Sequence, residues 1–154
     1  LIDQKAIQKV EAMVADALSH GASALTGAAP HKAGAHFYTP TVLANVTPEM
    51  RVNREEIFGP VAPLIRFKTE DDAVAIANDT PFGLSGYLFT QDIARAWRVG
   101  ERMEAGMVSI NEGVYSNAFI PFGGVKQSGL GREGGAEGLE EYLETKFLNF
   151  GGVA

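Results

Sequence analysis

The sequence contains no cysteine. That removes disulfides, thiolate metal sites and a cysteine nucleophile together, and it suits a cytoplasmic setting. Histidine is scarce, with three in all. His31 and His36 sit in a Pro/Lys/Gly stretch with no further ligands at metal spacing, so no metal site is expected. No apolar run approaches the ~20 residues that a membrane helix needs, and no secretory signal opens the chain. Basic residues are in deficit, 13 Lys and Arg against 19 Asp and Glu, for a net charge of −6. A nucleic-acid partner calls for a basic face, which this balance does not supply. Internal repeats, low-complexity tracts and linkers are missing as well. The chain begins at Leu1 without a methionine and reads into a helix at once, as a piece of a longer protein would.

What is present is a globular composition: 154 residues, 45% hydrophobic and 21% charged. A chain of this length is one domain's worth and hides about 70% of its unfolded surface. Asp3 can cap a helix whose apolar positions are Ile7, Val10, Val14, Ala17 and Leu18, with Gly21 as its stop. Ser23 to Thr26 reads as a short strand. Phe37 to Val46 reads as a longer one, which Pro40 demotes to an edge or bends. Ala62 to Lys68 is a third. Thr69 and Asp72 suit a capping box for a helix with Val74, Ile76 and Ala77 on its apolar side, ended by Pro81. Tyr87-Leu88-Phe89 is expected as a buried strand. Asp92 caps a further helix with Ile93, Ala96, Trp97, Val99 and Met103 as its core face. Gly106 closes it before a strand at Met107 to Ile110.

Strands alternating with helices at these lengths predict an α/β fold: an open, mostly parallel sheet with flanking helices. Sites in such sheets lie beyond the carboxyl ends of strands. That makes Asn111 to Phe122 a candidate site wall, with Ser116 in it, although as a bare residue Ser116 reads as a turn serine. Tyr142 to Phe150 alternates like a strand with one greasy and one mixed face. The predicted division is 1–139 for the main domain and 140–154 for a terminal strand and tail.

Two stretches invite chemistry. Pro121 to Glu133 carries four glycines in thirteen residues, so its backbone must turn tightly or approach something closely. Within it, Gly129-Leu130-Gly131-Arg132-Glu133-Gly134 matches a dinucleotide fingerprint. The match lacks the buried strand before it and the helix after it that the motif requires, so no phosphate loop is expected. The adjacent carboxylates Glu55 and Glu56 suggest acid/base work. Neighbours on a strand point to opposite faces, so both are not expected to serve one site, and salt bridges to Arg51 or Arg54 are the alternative.

Pro121 to Glu133 resembles a late-chain loop of the aldehyde dehydrogenase superfamily. Glu55-Glu56-Ile57-Phe58-Gly59-Pro60-Val61 resembles a second signature of that family, and Asn78 to Gly86 a third, in the family's order. Asn111-Glu112-Gly113 followed by Ser116 is most similar to its succinate-semialdehyde dehydrogenase branch. The resemblance covers nearly the whole chain. It implies the C-terminal portion of an enzyme that oxidises an aldehyde to a carboxylate with NAD or NADP, through a cysteine thiolate and a glutamate-activated water located earlier in such chains. No catalytic residue is therefore expected here. The resemblance implies that Glu56 hydrogen-bonds the nicotinamide ribose, that Phe58 packs beside that ribose and the ring, and that Ser116 helps hold the substrate carboxylate. Asn117 departs from the second serine of some relatives, which leaves the exact aldehyde open; an aldehyde dehydrogenase acting on an aromatic aldehyde or an aminoaldehyde is the alternative. It further implies a homo-oligomer, with 1–139 as the C-terminal part of the catalytic domain and 140–154 as the terminal oligomerisation strand and tail. A stand-alone oligomerisation or binding module is the reading from a different class.

Overall fold

The computed structural model describes residues 1–114 and 117–152. The chain divides into two compact units, Leu1–Ile76 and Ala77–Ala154. In the first, helix α1 (Gln4–Ser19) starts where the Asp3 carboxylate accepts the Ala6 amide at 2.8 Å. Its apolar residues recur at three- and four-residue intervals and so form one stripe. Ile7, Val10, Met13, Val14 and Ala17 are all buried there, in one core with Tyr38, Leu43, Val46, Met50 and Val52. Leu18 lies off the stripe and is exposed.

Strands β1 (Ser23–Thr26), β2 (Thr41–Ala44) and β3 (Val61–Pro63) form a sheet in the order β1-β2-β3. The β1–β2 ladder is antiparallel and the β2–β3 ladder parallel. The strand expected over Phe37 to Val46 is thus shorter, and it is central rather than an edge. Pro40 stands just outside the ladder, where its missing N–H costs nothing. Thr41 resumes the pairing by donating its amide to the Pro60 carbonyl at 2.8 Å. A single helical turn, α2 (Arg51–Arg54), comes between β2 and β3 and ends in the loop Glu55 to Pro60.

Helix α3 (Glu70–Asn78) opens with the reciprocal capping box. The Thr69 amide donates to Asp72 Oδ2 at 3.0 Å, and the Asp72 amide donates to Thr69 Oγ1 at 3.1 Å. Donation to the carboxylate from the Thr69 amide, with the Thr69 hydroxyl and the Lys68 amide after it, holds the Asp72 carboxyl below its usual range.

In the second unit, β4 (Phe82–Gly83) pairs antiparallel with β7 (Val125–Lys126). Strands β5 (Ser85–Leu88) and β6 (Met107–Ile110) pair in parallel, and α4 (Ile93–Arg102) is the crossover between them. The Asp92 carboxylate caps α4 by accepting from the Ala94 and Arg95 amides at 2.9 and 3.2 Å. The α/β class with open sheets and helices is therefore present, with its strands distributed over three short sheets.

Burial in this unit departs from the sequence expectation. Trp97 is 66% exposed and Ile93 74% exposed, and Tyr87 and Phe89 also face outward. Two paired strands offer too little surface to cover a helix face, so apolar spacing alone does not bring burial. Tyr142 to Phe150 also differs. Glu137–Tyr142 is a 3₁₀ turn, and no ladder forms over 143–150, where Leu143, Phe147 and Phe150 are exposed. Alternation supplies the pattern of a strand but not the partner that makes it one. Among the described residues, no helix is long and apolar enough to cross a membrane.

Candidate functional site

The loop after α2 separates the two neighbouring glutamates. Arg51 lies one turn before Glu55, and its Nε and Nη2 donate to Glu55 Oε1 and Oε2 at 2.6 and 3.1 Å. That hydrogen bond, more than the charges of Arg51 and Lys9 that act with it, holds the Glu55 carboxyl below the usual range against the opposing effect of desolvation. Glu56 is left differently. Its carboxylate has no partner among the described residues, while its backbone carbonyl accepts from the Lys9 ammonium of α1.

Two residues on, Phe58 adopts φ +47°. The left-handed region is costly for a bulky side chain, and here the ring is 78% exposed rather than packed. Gly59 follows, pressed on α1: a Cβ at this position would lie 2.5 Å from Val10 Cγ2. The loop therefore presents an unengaged carboxylate and a bare aromatic ring two residues apart. Such a pair can accept from the vicinal hydroxyls of a sugar and restrain a flat ring beside it.

The glycine-rich stretch is built from inside. Phe122 and Glu133 exchange both backbone hydrogen bonds at 2.7 Å, closing it into a loop. Arg132 Nη1 donates to the carbonyls of Gly124 and Gly131 at 2.8 and 2.7 Å. A Cβ on Gly123 would fall 2.4 Å from the Gly131 carbonyl oxygen, so this close backbone approach requires glycine. Lys126 Nζ donates to the carbonyls of Asn78 and Thr80 and pairs with Glu104. Both cations thus brace the loop. An open groove of about 870 Å³ beside it is lined in part by Phe122, Leu130, Arg132, Glu141 and Tyr142. The Gly129 to Gly134 match is followed by a 3₁₀ turn rather than an α-helix, so it is not the start of a dinucleotide-binding helix.

The wall after β6 is anchored at its root. The Asn111 side chain accepts from the Thr90 amide and donates to the Thr90 carbonyl, both at 2.7 Å. Ser116 lies outside the described residues. Glu56 and Phe58 share one loop, whereas Lys9 was not singled out by sequence. No local signal marks it, because its tie to Glu56 spans 47 positions. No cluster of three metal-ligating side chains exists among the described residues.

The profile of the aldehyde dehydrogenase family matches residues 1–148. The chain belongs to the aldehyde dehydrogenase family. It is 54% identical over 153 residues to human mitochondrial succinate-semialdehyde dehydrogenase, covering 99% of this chain and 29% of that protein. The crystal structure of succinate-semialdehyde dehydrogenase from Burkholderia pseudomallei is 56% identical, with a TM-score of 0.88, over 92% of this chain and 30% of the other. That of betaine aldehyde dehydrogenase from Staphylococcus aureus in complex with NAD+ is 40% identical, also with a TM-score of 0.88, over 95% and 30%. The chain thus spans about 30% of the length of these aldehyde dehydrogenases.

Proposed function

We propose that this chain is the C-terminal portion of an NAD(P)-dependent aldehyde dehydrogenase that oxidises succinate semialdehyde to succinate. The observation that carries the reading is the divergence of the two glutamates. Arg51 occupies Glu55, and Glu56, whose carboxylate has no partner among the described residues, lies two positions from the exposed Phe58. Those two residues fit a nicotinamide riboside: Glu56 would accept its ribose hydroxyls and Phe58 would pack against the ring. When bound, the dinucleotide accepts the hydride released as the aldehyde carbon is oxidised. The residues of this chain bind and orient; they move no proton. The nucleophile belongs to the rest of the enzyme, since there is no cysteine here.

Identities of 54% and 56% to succinate-semialdehyde dehydrogenases, against 40% to the betaine aldehyde dehydrogenase, support the carboxylate-bearing substrate. Ser116 is assigned to that carboxylate. A homo-oligomer in the cytoplasm belongs to the same proposal; the mitochondrial name of the human relative marks the other compartment to test.

The test is made in the full-length enzyme. A carboxylate–hydroxyl hydrogen bond is worth about 1.5–3 kcal/mol; on the reading that Glu56 makes a stronger one in the transition state than in the ground state, Glu56→Gln should slow single-turnover hydride transfer, while Glu55→Gln leaves it near wild type. Equal rates for wild type and Glu56→Gln would reject the cofactor assignment. Ser116→Ala should raise KM for succinate semialdehyde and spare butanal, because a hydroxyl donor to a carboxylate matters only when the carboxylate is there. Equal losses for both substrates would remove Ser116 from the substrate site.

A further inference from the structure

The wall that follows β6 has little packing to hold it. Val114 is 79% exposed and Phe119 87% exposed, so neither apolar side chain anchors the backbone that carries it. Gly113 is a freer point still. A Cβ there would meet nothing within 4 Å, and glycine loses more conformational freedom on being fixed than any other residue. The strand itself ends firmly. Asn111 takes φ +58°, a conformation that asparagine adopts more readily than most residues, and its amide donates to the Leu88 carbonyl at 2.9 Å. The shape of what comes next is therefore left to polar side chains.

Glu112 shapes the near half. Its Oε1 accepts from the Gly113 amide at 3.0 Å and from the Val114 amide at 3.4 Å. Its own backbone is held in turn, because the hydroxyl of the buried Ser109 donates to the Glu112 carbonyl at 2.7 Å. Asn117 shapes the far half. Its Oδ1 accepts from the Phe119 amide at 2.9 Å, and its carbonyl accepts from the Ile120 amide at 3.3 Å. The Gly135 amide then ties the Ala118 carbonyl to the glycine-rich stretch at 3.0 Å. Ser116 lies in sequence between these two capped turns. The Glu112 carboxylate matters for a second reason. It stands four positions from a residue assigned to a substrate carboxylate, and a free negative charge there would oppose the ligand. Turned back onto two amides, the same group serves as a backbone acceptor.

We infer that Glu112 is a specificity-determining positioning residue for the carboxylate end of the substrate: its cap on Gly113 and Val114 presets the stretch that leads to Ser116, as Asn117 presets the stretch that leaves it. This rests on the proposed role of Ser116. A wall ordered in advance has less freedom to lose when a carboxylate binds on it. An aldehyde without that group makes no bond there and gains nothing from the ordering. Loss of the Glu112 cap therefore falls on the preference for succinate semialdehyde over an uncharged aldehyde, and it acts through KM.

The experiment compares kcat/KM of the full-length enzyme for succinate semialdehyde and for butanal at saturating cofactor, with the ratio of the two as the readout. Glu112→Ala removes the acceptor. The ratio should fall about two- to tenfold, the factor that corresponds to one net hydrogen bond, with the change in KM for succinate semialdehyde rather than in kcat. Glu112→Gln keeps an oxygen for the same two amides and should retain most of the ratio. In a Ser116→Ala background, Glu112→Ala should lower the ratio little further, because the two act as one unit. If Glu112→Ala proves too unstable to assay, Glu112→Met is measured in its place, with the same fall expected. A wild-type ratio in the Glu112 variant alongside a lowered one in Ser116→Ala would overturn the inference and leave Ser116 at the substrate. Wild-type ratios in both would overturn the two together. Equal falls in Glu112→Gln and Glu112→Ala would also overturn it, by showing that the charge acts and not the acceptor. So would equal losses for both aldehydes, which mark damage to the fold.

Discussion

Arg51 lies four residues before Glu55 and five before Glu56, and one helical turn brings only the first of these onto its side. The pairing is bidentate and leaves the second glutamate open. Arg51→Met should release Glu55 and let its carboxyl rise towards the ordinary range, measurable by carbon-detected NMR titration; an unmoved Glu55 would mean the pair does not persist in solution. Gly59→Ala is the sharper test of local packing. With Val10 Cγ2 2.5 Å from the added carbon, the loop or the helix must shift, and overpacking of this kind costs about 1–3 kcal/mol, readable in urea denaturation. Asp72 carries a pH dependence. Its pKa is lowered in the folded chain, so its contribution is present above the unfolded value of about 3.9 and fades as pH falls through the lower folded value. The stability gap between wild type and Asp72→Asn should therefore narrow on acidification through that window, and a constant gap would show that the carboxylate is not what caps α3.

At the scale of elements, α1 and α4 show that the same apolar spacing can have two outcomes. Both are capped by an aspartate whose carboxylate accepts first-turn amides. The stripe of α1 meets a three-stranded sheet and is buried. The face of α4 meets the β5–β6 pair and keeps Trp97 and Ile93 open to solvent. Asp92→Ala should cost about 1 kcal/mol through the lost cap. The sole tryptophan gives an independent readout: acrylamide should quench Trp97 readily in the dilute chain. Strong protection at low concentration would mean that the helix face is covered after all.

For the whole molecule, what stays uncovered matters most. Phe147 and Phe150 are 86% and 75% exposed in a segment with no ladder partner. Backbone amides and carbonyls in such a segment are a template for another chain. The chain should therefore self-associate at micromolar concentration, and removal of the residues after Glu141 should reduce this in sedimentation velocity. A monomer with the tail intact would show that the segment needs no partner. The same 154 residues should produce no NADH or NADPH from succinate semialdehyde, since covalent aldehyde oxidation needs an activated nucleophile and the chain has no cysteine.

The caps at Asp3 and Asp92, the Thr69–Asp72 box and the stripe of α1 were legible in the sequence because each depends on residues within a turn or two of one another. So was the family, because its three stretches are contiguous runs. The Lys9 tie to the Glu56 carbonyl, the central place of β2 and the exposure of Trp97 were decided by tertiary structure, whereas the Arg51–Glu55 pair follows from one-turn spacing. Strand order is settled by which edge is free. Burial is settled by how much surface distant segments bring. The Lys9 hold on Glu56 is of that second kind: a helix fixed by its own buried face sets the shape of a loop 47 positions away, and no local pattern of residues encodes that distance.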